Sequence, residues 1–358
     1  MGKRVRIFAT ALAAVLPLSL AFVAPTVAGA EGSGLTITTS TTVAADPVCG
    51  AGPCVEITGS GLEVNGASHV VDCGGVPGTI GIVIKGTSNH VHSFEVRNCE
   101  IGVMVDGGGW HHLNELYVHD SVYRQDGTLH PGSGNGIFLY FTTGNLVNGN
   151  RSISNDAFGV HLENSTFNTF HTMWVTDNCP STASPPPHSG GYLLSQSDGN
   201  RITSNDISRN GDVGVEIRNS DGNTLQSSIV NDTKCTGTPG TGIVIIVSAD
   251  LNVLRGNQAM RNENGISIGC PLGCTNTSGP SVSSKDNLLQ DNNASSNAEE
   301  GIQIGVSNRR NRLQSNRSLA NALLDMRDDN LNCDQNVWRS NTFMTDSEGN
   351  GPTKGCIR

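Results

Sequence analysis

The sequence predicts an all-β fold, a parallel β-helix in which short strands stack coil upon coil. Asparagine recurs at five-residue intervals, as in Asn200, Asn205 and Asn210, and several other runs repeat this interval. A Gly-apolar-x-apolar phrase precedes the runs, and the clearest phrases begin about 23 residues apart. Repeats of this length are typical of stacked units that share one continuous core.

The phrases themselves predict strands. Apolar residues alternate with polar ones, as in Val215, Ile217 and then Leu225, and no helical period is sustained. Strands this short cannot bury a core alone, so the chain is expected to turn after each one and stack its repeats. The phrase glycines, which predict a solenoid of about ten coils, are Gly81, Gly136, Gly159, Gly191, Gly214, Gly242, Gly265 and Gly301.

The asparagines are predicted to be architecture rather than ligands. Stacked Asn side chains hydrogen-bond along a ladder, with about 4.8 Å between neighbours. Asn and Gly also tolerate the positive φ that tight bends require, so both residue types are expected at the corners of the coils.

Composition agrees with one elongated domain. With 44 Gly, 4% aromatic and 15% charged residues, the chain lacks the large side chains of a single globular core. We divide it into a signal peptide at 1–30, an N-terminal cap with first irregular turns at 31–80, parallel β-helix repeats at 81–345, and a C-terminal tail at 346–358.

The first thirty residues have the pattern of a cleaved signal peptide. Lys3, Arg4 and Arg6 precede an apolar run, and a small-residue cleavage site follows it at 28–30. A membrane anchor is the alternative, but prolines interrupt the run. The protein is therefore expected to be secreted or extracytoplasmic, with no membrane partner after cleavage. A net charge of −10 disfavours nucleic acid as a partner.

Ten cysteines, an even number in an oxidising compartment, predict disulfides. The candidate pairs, whose connectivity the spacing does not decide, are Cys49/Cys54, Cys73/Cys99, Cys179/Cys235, Cys270/Cys274 and Cys333/Cys356. Three insertions interrupt the stack, at 123–133, from Cys179 and from Cys270. Such loops either build the binding face of a solenoid or decorate its surface.

The phrase G-[apolar]-x-[apolar]-x-x-S-x-x-N-x-[apolar]-x-x-N is complete at Gly191 and recurs with one departure each at Gly214, where Ser228 replaces the last Asn, and at Gly301, where one extra residue precedes Asn311. It resembles the repeat of right-handed parallel β-helix proteins of the pectate-lyase-like superfamily. It is also similar to the β-helix domain of periplasmic copper-binding-type accessory proteins. The resemblance implies a right-handed, single-stranded parallel β-helix. That superfamily includes polysaccharide lyases, glycoside hydrolases, alginate-type epimerases and proteins without known activity, so the resemblance implies a polysaccharide partner and a groove along one face.

Aligning the coils on the phrase glycines brings chemically useful residues together on one outward face. Four residues past the glycine lie Asp106, Tyr140, Glu163 and Arg218; two residues past it lie Phe138, His161 and Glu216. Adjacent coils are about 4.8 Å apart, so Tyr140, Glu163 and Arg218 span about 15 Å of groove. We take His161, Tyr140, Glu163 and Arg218 as candidate catalytic residues, and Asp106, Glu216 and Phe138 as candidate substrate-binding residues.

These residue types suit chemistry at a uronic acid. Arg218, or a cation such as Ca²⁺ held by Glu163 and Asp106, would neutralise the carboxylate; His161 would take the C5 proton, and Tyr140 would return or donate one. For hydrolysis, Asp106 and Glu163 would flank the bond with the wide spacing of inversion. The alternative is that all are solvated residues paired across coils. The Asp-Pro-His triplet of alginate-type epimerases is absent.

The histidines suggest a second site. All ten lie between His69 and His188. His90 and His92 are predicted to share a face, and His112 to align with His90, which would bring three imidazoles within about 5 to 7 Å, a set that suits Cu or Zn. Stacking of polar residues on a solvent-exposed face explains the same pattern. His171, in the same column as His92, is expected to be an ordinary surface residue without a ligand.

The sequence therefore predicts an exported β-helix that binds an extracellular polysaccharide, with lyase, epimerase or hydrolase chemistry as the catalytic form of that function. The alternative is a non-catalytic structural, surface or metal-binding rod, and the sequence leaves open whether the protein is an enzyme. Convergence of the candidate residues in a groove would separate the two. Trp110, Trp174 and Trp338 are candidate sugar platforms, although Trp338, in the closing coil, is more typical of a core plug.

Overall fold

The computed structural model describes residues 26–27, 34–50, 52–124, 132–179, 188–235, 238–269, 283–349 and 355–357. These residues form a parallel β-helix, so the predicted fold class is confirmed. Cys270 and Cys274, most of the predicted signal peptide and parts of all three insertions lie outside the described residues. Within the described ranges, the helical structure is one short 3₁₀ segment at Asn332–Gln335.

Each coil contributes a strand to two sheets of thirteen strands, and five coils add a strand to a third sheet. The long sheet contains Leu35–Ile37, Pro53–Ile57, Ile80–Ile84, Ile101–Asp106, Ile137–Tyr140, Phe158–Glu163, Gly190–Ser195, Val213–Arg218, Thr241–Ile246, Ile266–Ile268, Glu300–Ile304, Leu324–Leu331 and Asp346–Gly349. The short sheet contains Thr26–Val27, Thr41–Val43, Glu63–Asn65, His90–His92, His112–Asn114, Leu146–Asn148, Thr169–His171, Arg201–Thr203, Thr224–Gln226, Val253–Arg255, Leu288–Gln290, Arg312–Gln314 and Val337–Arg339. The third sheet contains Val70–Asp72, Glu95–Arg97, Tyr117–His119, Arg151–Ile153 and Trp174–Thr176, and a separate antiparallel pair joins Lys234–Cys235 to Thr238–Pro239.

The core is a column of stacked apolar side chains. In the long sheet, Val103 pairs with Ile137, Ile137 with Val160, and Val160 with Tyr192, and all four are fully buried. Every such side chain contributes about 1.5 to 3 kcal/mol by leaving water. Because consecutive strands repeat the same alternation in register, the column continues from one coil to the next, as the repeat predicts.

The predicted asparagine ladder is present and buried. Asn145, Asn168, Asn200, Asn223 and Asn252 follow one another up the stack, and from Asn168 upward each Oδ1 accepts the backbone N–H of the Asn one coil below. The ladder thus satisfies corner N–H groups that face the interior, where an unpaired donor is costly. The asparagines are architecture.

The conformational role of these asparagines differs from the prediction. The positive φ falls on the residue just before a ladder Asn, such as Ser204 before Asn205 or Arg209 before Asn210, and the ladder asparagines are absent from that set among the described residues. Asn is selected at the corner for its hydrogen bonds rather than for its tolerance of left-handed backbone. Gly takes the positive φ without strain, and Ser, Asp, Arg and even Phe167 and Leu251 adopt it before other ladder asparagines.

The stack is longer than the phrase glycines indicate, at about 12 turns. Leu35–Ile37 pairs in register with Pro53–Ile57, which in turn pairs with Ile80–Ile84, the strand that carries the first phrase. Four predicted disulfides are present, Cys49–Cys54, Cys73–Cys99, Cys179–Cys235 and Cys333–Cys356, and the described residues contain no free cysteine. No helix in the described ranges has the length and hydropathy needed to span a membrane.

Candidate functional site

One outward column of the long sheet carries four of the predicted site residues in register. Asp106 pairs with Tyr140, Tyr140 with Glu163, Glu163 with Ser195, and Ser195 with Arg218. Four strand steps of about 4.8 Å place Asp106 and Arg218 about 19 Å apart. The four charged or phenolic side chains are partly exposed, so they line a strip of open surface along the helix axis.

The neighbouring outward column is more covered than the open strip, although His161 and Leu193 within it are partly exposed. Phe138 pairs with His161, and the column continues through Leu193 to Glu216 and Val244. Phe138 is fully buried and Glu216 is 1% exposed. Beside them lies a second apolar cluster, outside the main core, formed by Ala157, Phe158, Val213 and Val244 with Leu193 and Ile246. Phe138 and Glu216 are therefore covered by neighbouring side chains. Direct contact of either residue with a substrate remains a prediction.

His161 has a fixed tautomer. The Asn135 side-chain oxygen accepts the Phe158 N–H at 2.9 Å, which directs the Asn135 amide nitrogen to His161 Nδ1 at 3.0 Å. The ring lies 4.9 Å from the Phe138 ring, and burial lowers the pKa of His161 to about 4. The imidazole is neutral at pH 7, accepts at Nδ1 and presents N–H at Nε2. This favours a hydrogen-bond donor over the general base expected from the sequence.

Glu216 is a buried carboxylate at the centre of an ion network whose basic partners, His188 and Arg218, are exposed by 48% and 43%. His188 Nε2 lies 2.5 Å from one carboxylate oxygen, and Arg218 Nη2 lies 2.6 Å from the other. The Arg218 contact is a close ion pair without the alignment of a hydrogen bond. Burial opposes the charge of Glu216, but the hydrogen bond and charge of His188, together with Arg218, lower its pKa. Arg218 therefore reaches the open strip while anchored on Glu216.

Sequence reasoning missed His188, which belongs to an insertion and has no place in the repeat. Burial acts to lower its pKa, but hydrogen bonds to Asp212 and Glu216 and the charges of both carboxylates raise the pKa of His188 to about 9. Its ring also meets Phe158 edge-on, with centroids 5.5 Å apart. The only sequence signal is a histidine at the end of a proline-rich insertion, next to a phrase that begins a strand.

Exposed aromatic rings follow the corner where the long sheet turns toward the short sheet. Trp110 is 67% exposed, Phe141 57% and Phe167 68%. Trp110 covers Gly144, where a Cβ would lie 2.7 Å from the ring, and Phe167 covers Gly199 in the same way. Glycine at these positions lets the rings lie directly on the neighbouring coil.

The aromatic corner adjoins the open strip, because the Phe141 ring meets the Tyr140 ring edge-on at 4.5 Å. The other tryptophans lie elsewhere. Trp174 is 49% exposed on the third sheet, and Trp338 is buried with its Nε1 donating to Asp328 at 2.9 Å. Trp338 is thus the core plug that its place in the closing coil indicates.

The predicted histidine cluster lies on the short sheet. His112 pairs with His90 as predicted, and their rings are stacked with centroids 4.6 Å apart. The His90 and His92 centroids are 4.7 Å apart. Glu63, which the sequence did not single out, belongs to the same cluster. It lies one coil below His90, pairs with it in register, and contacts the imidazoles of both His90 and His92. His171 lies three strands above His92 in the same column and is exposed.

Comparison with known proteins identifies the same fold. The family described as the right handed beta helix region matches residues 128–277. The A-module of the mannuronan C-5 epimerase AlgE6 of Azotobacter vinelandii is 14% identical, with a TM-score of 0.56 over 92% of this chain and 88% of that chain.

Two further solved structures are similar. The Dettilon tailspike protein gp208 is 14% identical, with a TM-score of 0.54 over 86% of this chain and 62% of that chain. The periplasmic alginate epimerase AlgG is 14% identical, with a TM-score of 0.53 over 86% of this chain and 76% of that chain. No curated protein sequence matches. At this identity the likeness concerns the fold, which is a right-handed parallel β-helix.

Proposed function

We propose that this right-handed parallel β-helix protein, of the pectate-lyase-like kind, binds a polysaccharide along the outer face of its long sheet. The observation that carries the proposal is the exposed aromatic corner of Trp110, Phe141 and Phe167 beside the open strip of Tyr140 and Glu163. Flat apolar rings next to carboxylate, phenol and guanidinium groups suit a ligand with apolar sugar faces and polar edges.

The spacing of the corner suits a chain of sugars. Bridges from Gly109 to Thr143 and from Thr143 to Thr166 place Trp110 and Phe167 two coils apart, about 10 Å. That is the reach of a disaccharide, and the open strip continues the path for about 19 Å from Asp106 to Arg218. The names of two similar structures, alginate epimerases, support a polysaccharide ligand. Four disulfides fit an oxidising, extracytoplasmic compartment, where such polymers occur.

A uronic acid polymer is the substrate class that the charged groups favour. Arg218 would bind the sugar carboxylate, and the His161 N–H would stabilise the negative charge that develops on the carboxyl group when the C5 proton leaves. Tyr140 and Glu163 lie on adjacent strands and remain available to remove and return that proton. With these roles, the site would catalyse epimerisation or elimination at a uronic acid residue of the polymer. Hydrolysis by inversion is the alternative, with Asp106 and Glu163 two strands apart.

Binding is tested by calorimetry and affinity electrophoresis against polymannuronate, polyguluronate, polygalacturonate and a neutral glucan. Trp110→Ala should weaken binding about 5- to 10-fold, the loss of one stacked ring. Trp174→Ala is the matched control, because that ring is exposed on another sheet and should leave binding unchanged. Equal effects of the two substitutions, or no binding to any polymer by the folded protein, would contradict the proposal.

Catalysis is tested by proton NMR of the polymer, absorbance at about 235 nm for elimination, and reducing ends for hydrolysis. In a catalytic protein, His161→Ala should lower turnover by about 10² while binding persists. Tyr140→Phe, which removes one hydroxyl and keeps the ring, should do the same. Binding without turnover on any of these polymers would instead support the non-catalytic rod.

A further inference from the structure

We infer that Glu63, His90 and His92 form a binding site for a divalent first-row transition-metal ion. The three residues each offer one ligand atom, and these atoms lie within 4.8 Å of one another. The site lies on the short sheet, so it is separate from the proposed polysaccharide groove on the long sheet. It also stands independently of the proposed function.

The backbone register brings the three side chains to one point. Glu63 and His90 are paired on adjacent strands, and His92 follows His90 by two residues on the same face. His90 Nδ1 lies 2.8 Å from Glu63 Oε2, and His92 Nε2 lies 2.9 Å from Glu63 Oε1. The side chains of His90 and Glu63 are 34% and 56% exposed, so an ion can enter from solvent.

The far nitrogens of both imidazoles are already committed as donors. His90 Nε2 lies 2.5 Å from Asn114 Oδ1, which only accepts. His92 Nδ1 lies 3.0 Å from Ser93 Oγ, and the Ser93 hydroxyl donates its proton to Glu115 at 2.8 Å. The serine oxygen therefore accepts from His92. Each ring carries its hydrogen on the side away from Glu63.

The nitrogens nearest Glu63, His90 Nδ1 and His92 Nε2, are therefore the unprotonated ones. A neutral imidazole has one N–H, so His90 Nδ1 and His92 Nε2 each direct a lone pair at the Glu63 carboxylate, which is itself an acceptor. Three acceptors cannot approach to 2.8 and 2.9 Å without a positive charge between them. A divalent metal ion bound by His90 Nδ1, His92 Nε2 and the Glu63 carboxylate supplies that positive charge.

The ligand set selects the kind of metal. Two imidazoles and one carboxylate with an open side suit Zn²⁺ or Cu²⁺, whereas Ca²⁺ and Mg²⁺ prefer oxygen ligands. Asn114 and Ser93 supply the outer hydrogen bonds that orient metal-binding histidines. His112, predicted as the third ligand, instead stacks on His90, and its Nε2 is buried without a hydrogen-bond partner.

The test uses tag-free, chelator-treated full-length protein at pH 8, titrated calorimetrically with Zn²⁺ and separately with Cu²⁺, Ca²⁺ and Mg²⁺. We expect one Zn²⁺ per chain, tighter Cu²⁺ binding, and no comparable site for Ca²⁺ or Mg²⁺. His90→Ala, His92→Ala and Glu63→Gln should each weaken Zn²⁺ binding by about 100-fold or more, and Asn114→Ala by about 10- to 100-fold. Circular dichroism of each variant checks that the β-helix is intact.

His171→Ala is the matched control, because His171 is an exposed histidine in the same column as His92, three strands away. It should bind Zn²⁺ like the unsubstituted protein. Cobalt substitution gives a second readout, since a Co²⁺ absorption band in the visible should appear and disappear with His90. Absence of one-to-one Zn²⁺ binding, or equal loss in His171→Ala and His90→Ala, would overturn the inference. Polysaccharide binding by the metal-site variants is expected to be unchanged, which separates this test from that of the groove.

Discussion

Replacing one ladder asparagine tests the account of what holds the coils together. Asn200 is 1% exposed and makes four side-chain hydrogen bonds. Its Oδ1 accepts from the backbone N–H and the side-chain amide of Asn168, and its Nδ2 donates to Ser165 O and Asn223 Oδ1. Asn200→Ala removes all four and leaves the Asn168 N–H buried without its acceptor.

The expected cost follows from these bonds. An orphaned buried donor costs about 1 to 3 kcal/mol, and the other lost bonds contribute about 0.5 to 1.5 kcal/mol each. Allowing for partial relaxation, we expect Asn200→Ala to lower the free energy of unfolding by about 3 to 5 kcal/mol. Asn200→Asp should be at least as damaging, because the amide nitrogen that donates to Ser165 O and Asn223 Oδ1 is replaced by a carboxylate oxygen, which only accepts.

Urea unfolding followed by circular dichroism and by fluorescence gives the measurement, and agreement of the two probes checks that unfolding is two-state. Asn148→Ala is the control, since Asn148 lies on the solvent side of a strand and accepts one hydrogen bond from Thr172 in an exposed setting. Its substitution should cost less than about 1 kcal/mol. Similar costs at Asn148 and Asn200 would refute the reasoning that buried ladder bonds hold the corners.

Three further outcomes are expected. The pKa of His188 is raised to about 9, so its proton stabilises the fold fully below pH 6.5, and this stability is lost as the pH rises toward 9. The melting temperature should therefore decrease over that pH range, and the decrease should be smaller in His188→Gln. Burial lowers the pKa of His161 and His111 to about 4, so the unfolded chain binds more protons between pH 6.5 and 4; stability should decline with acidification, less steeply in His161→Gln, and an unchanged slope would contradict the buried neutral ring. Replacing Cys73 and Cys99, which close 26 residues, with Ser should cost about 3 to 4 kcal/mol in denaturant unfolding, and no change would show that this bridge does not constrain the unfolded chain.

The repeat made the long sheet predictable to the residue. Because the phrase glycine marks the same point in each coil, counting four residues on aligned Asp106, Tyr140, Glu163 and Arg218 as the strand pairing does. The same logic aligned His112 with His90. Register follows from period-two alternation when one face must be buried, and this constraint is local enough to read in a sequence.

What escaped prediction depends on contacts outside the repeat. Glu63 belongs to the early coils, where no phrase marks the register, and His188 belongs to an insertion. The burial of Phe138 and Glu216 was not predicted, because the alternation of apolar and polar residues along a strand distinguishes inward from outward side chains only. It does not show which outward side chains are covered by other parts of the chain. The tautomer of His161 depends on Asn135, whose amide is fixed by a backbone N–H from another coil.

The most direct test of the central claim is hydroxyl-radical footprinting of the protein with and without a saturating uronic acid polymer that it binds. We expect protection of Trp110, Phe141 and Tyr140 beside the long sheet, with Trp174 on the third sheet as an internal reference whose oxidation is unchanged. Protection of Trp174 with continued oxidation of Trp110 and Tyr140 would place the polysaccharide on another face and contradict the proposed groove.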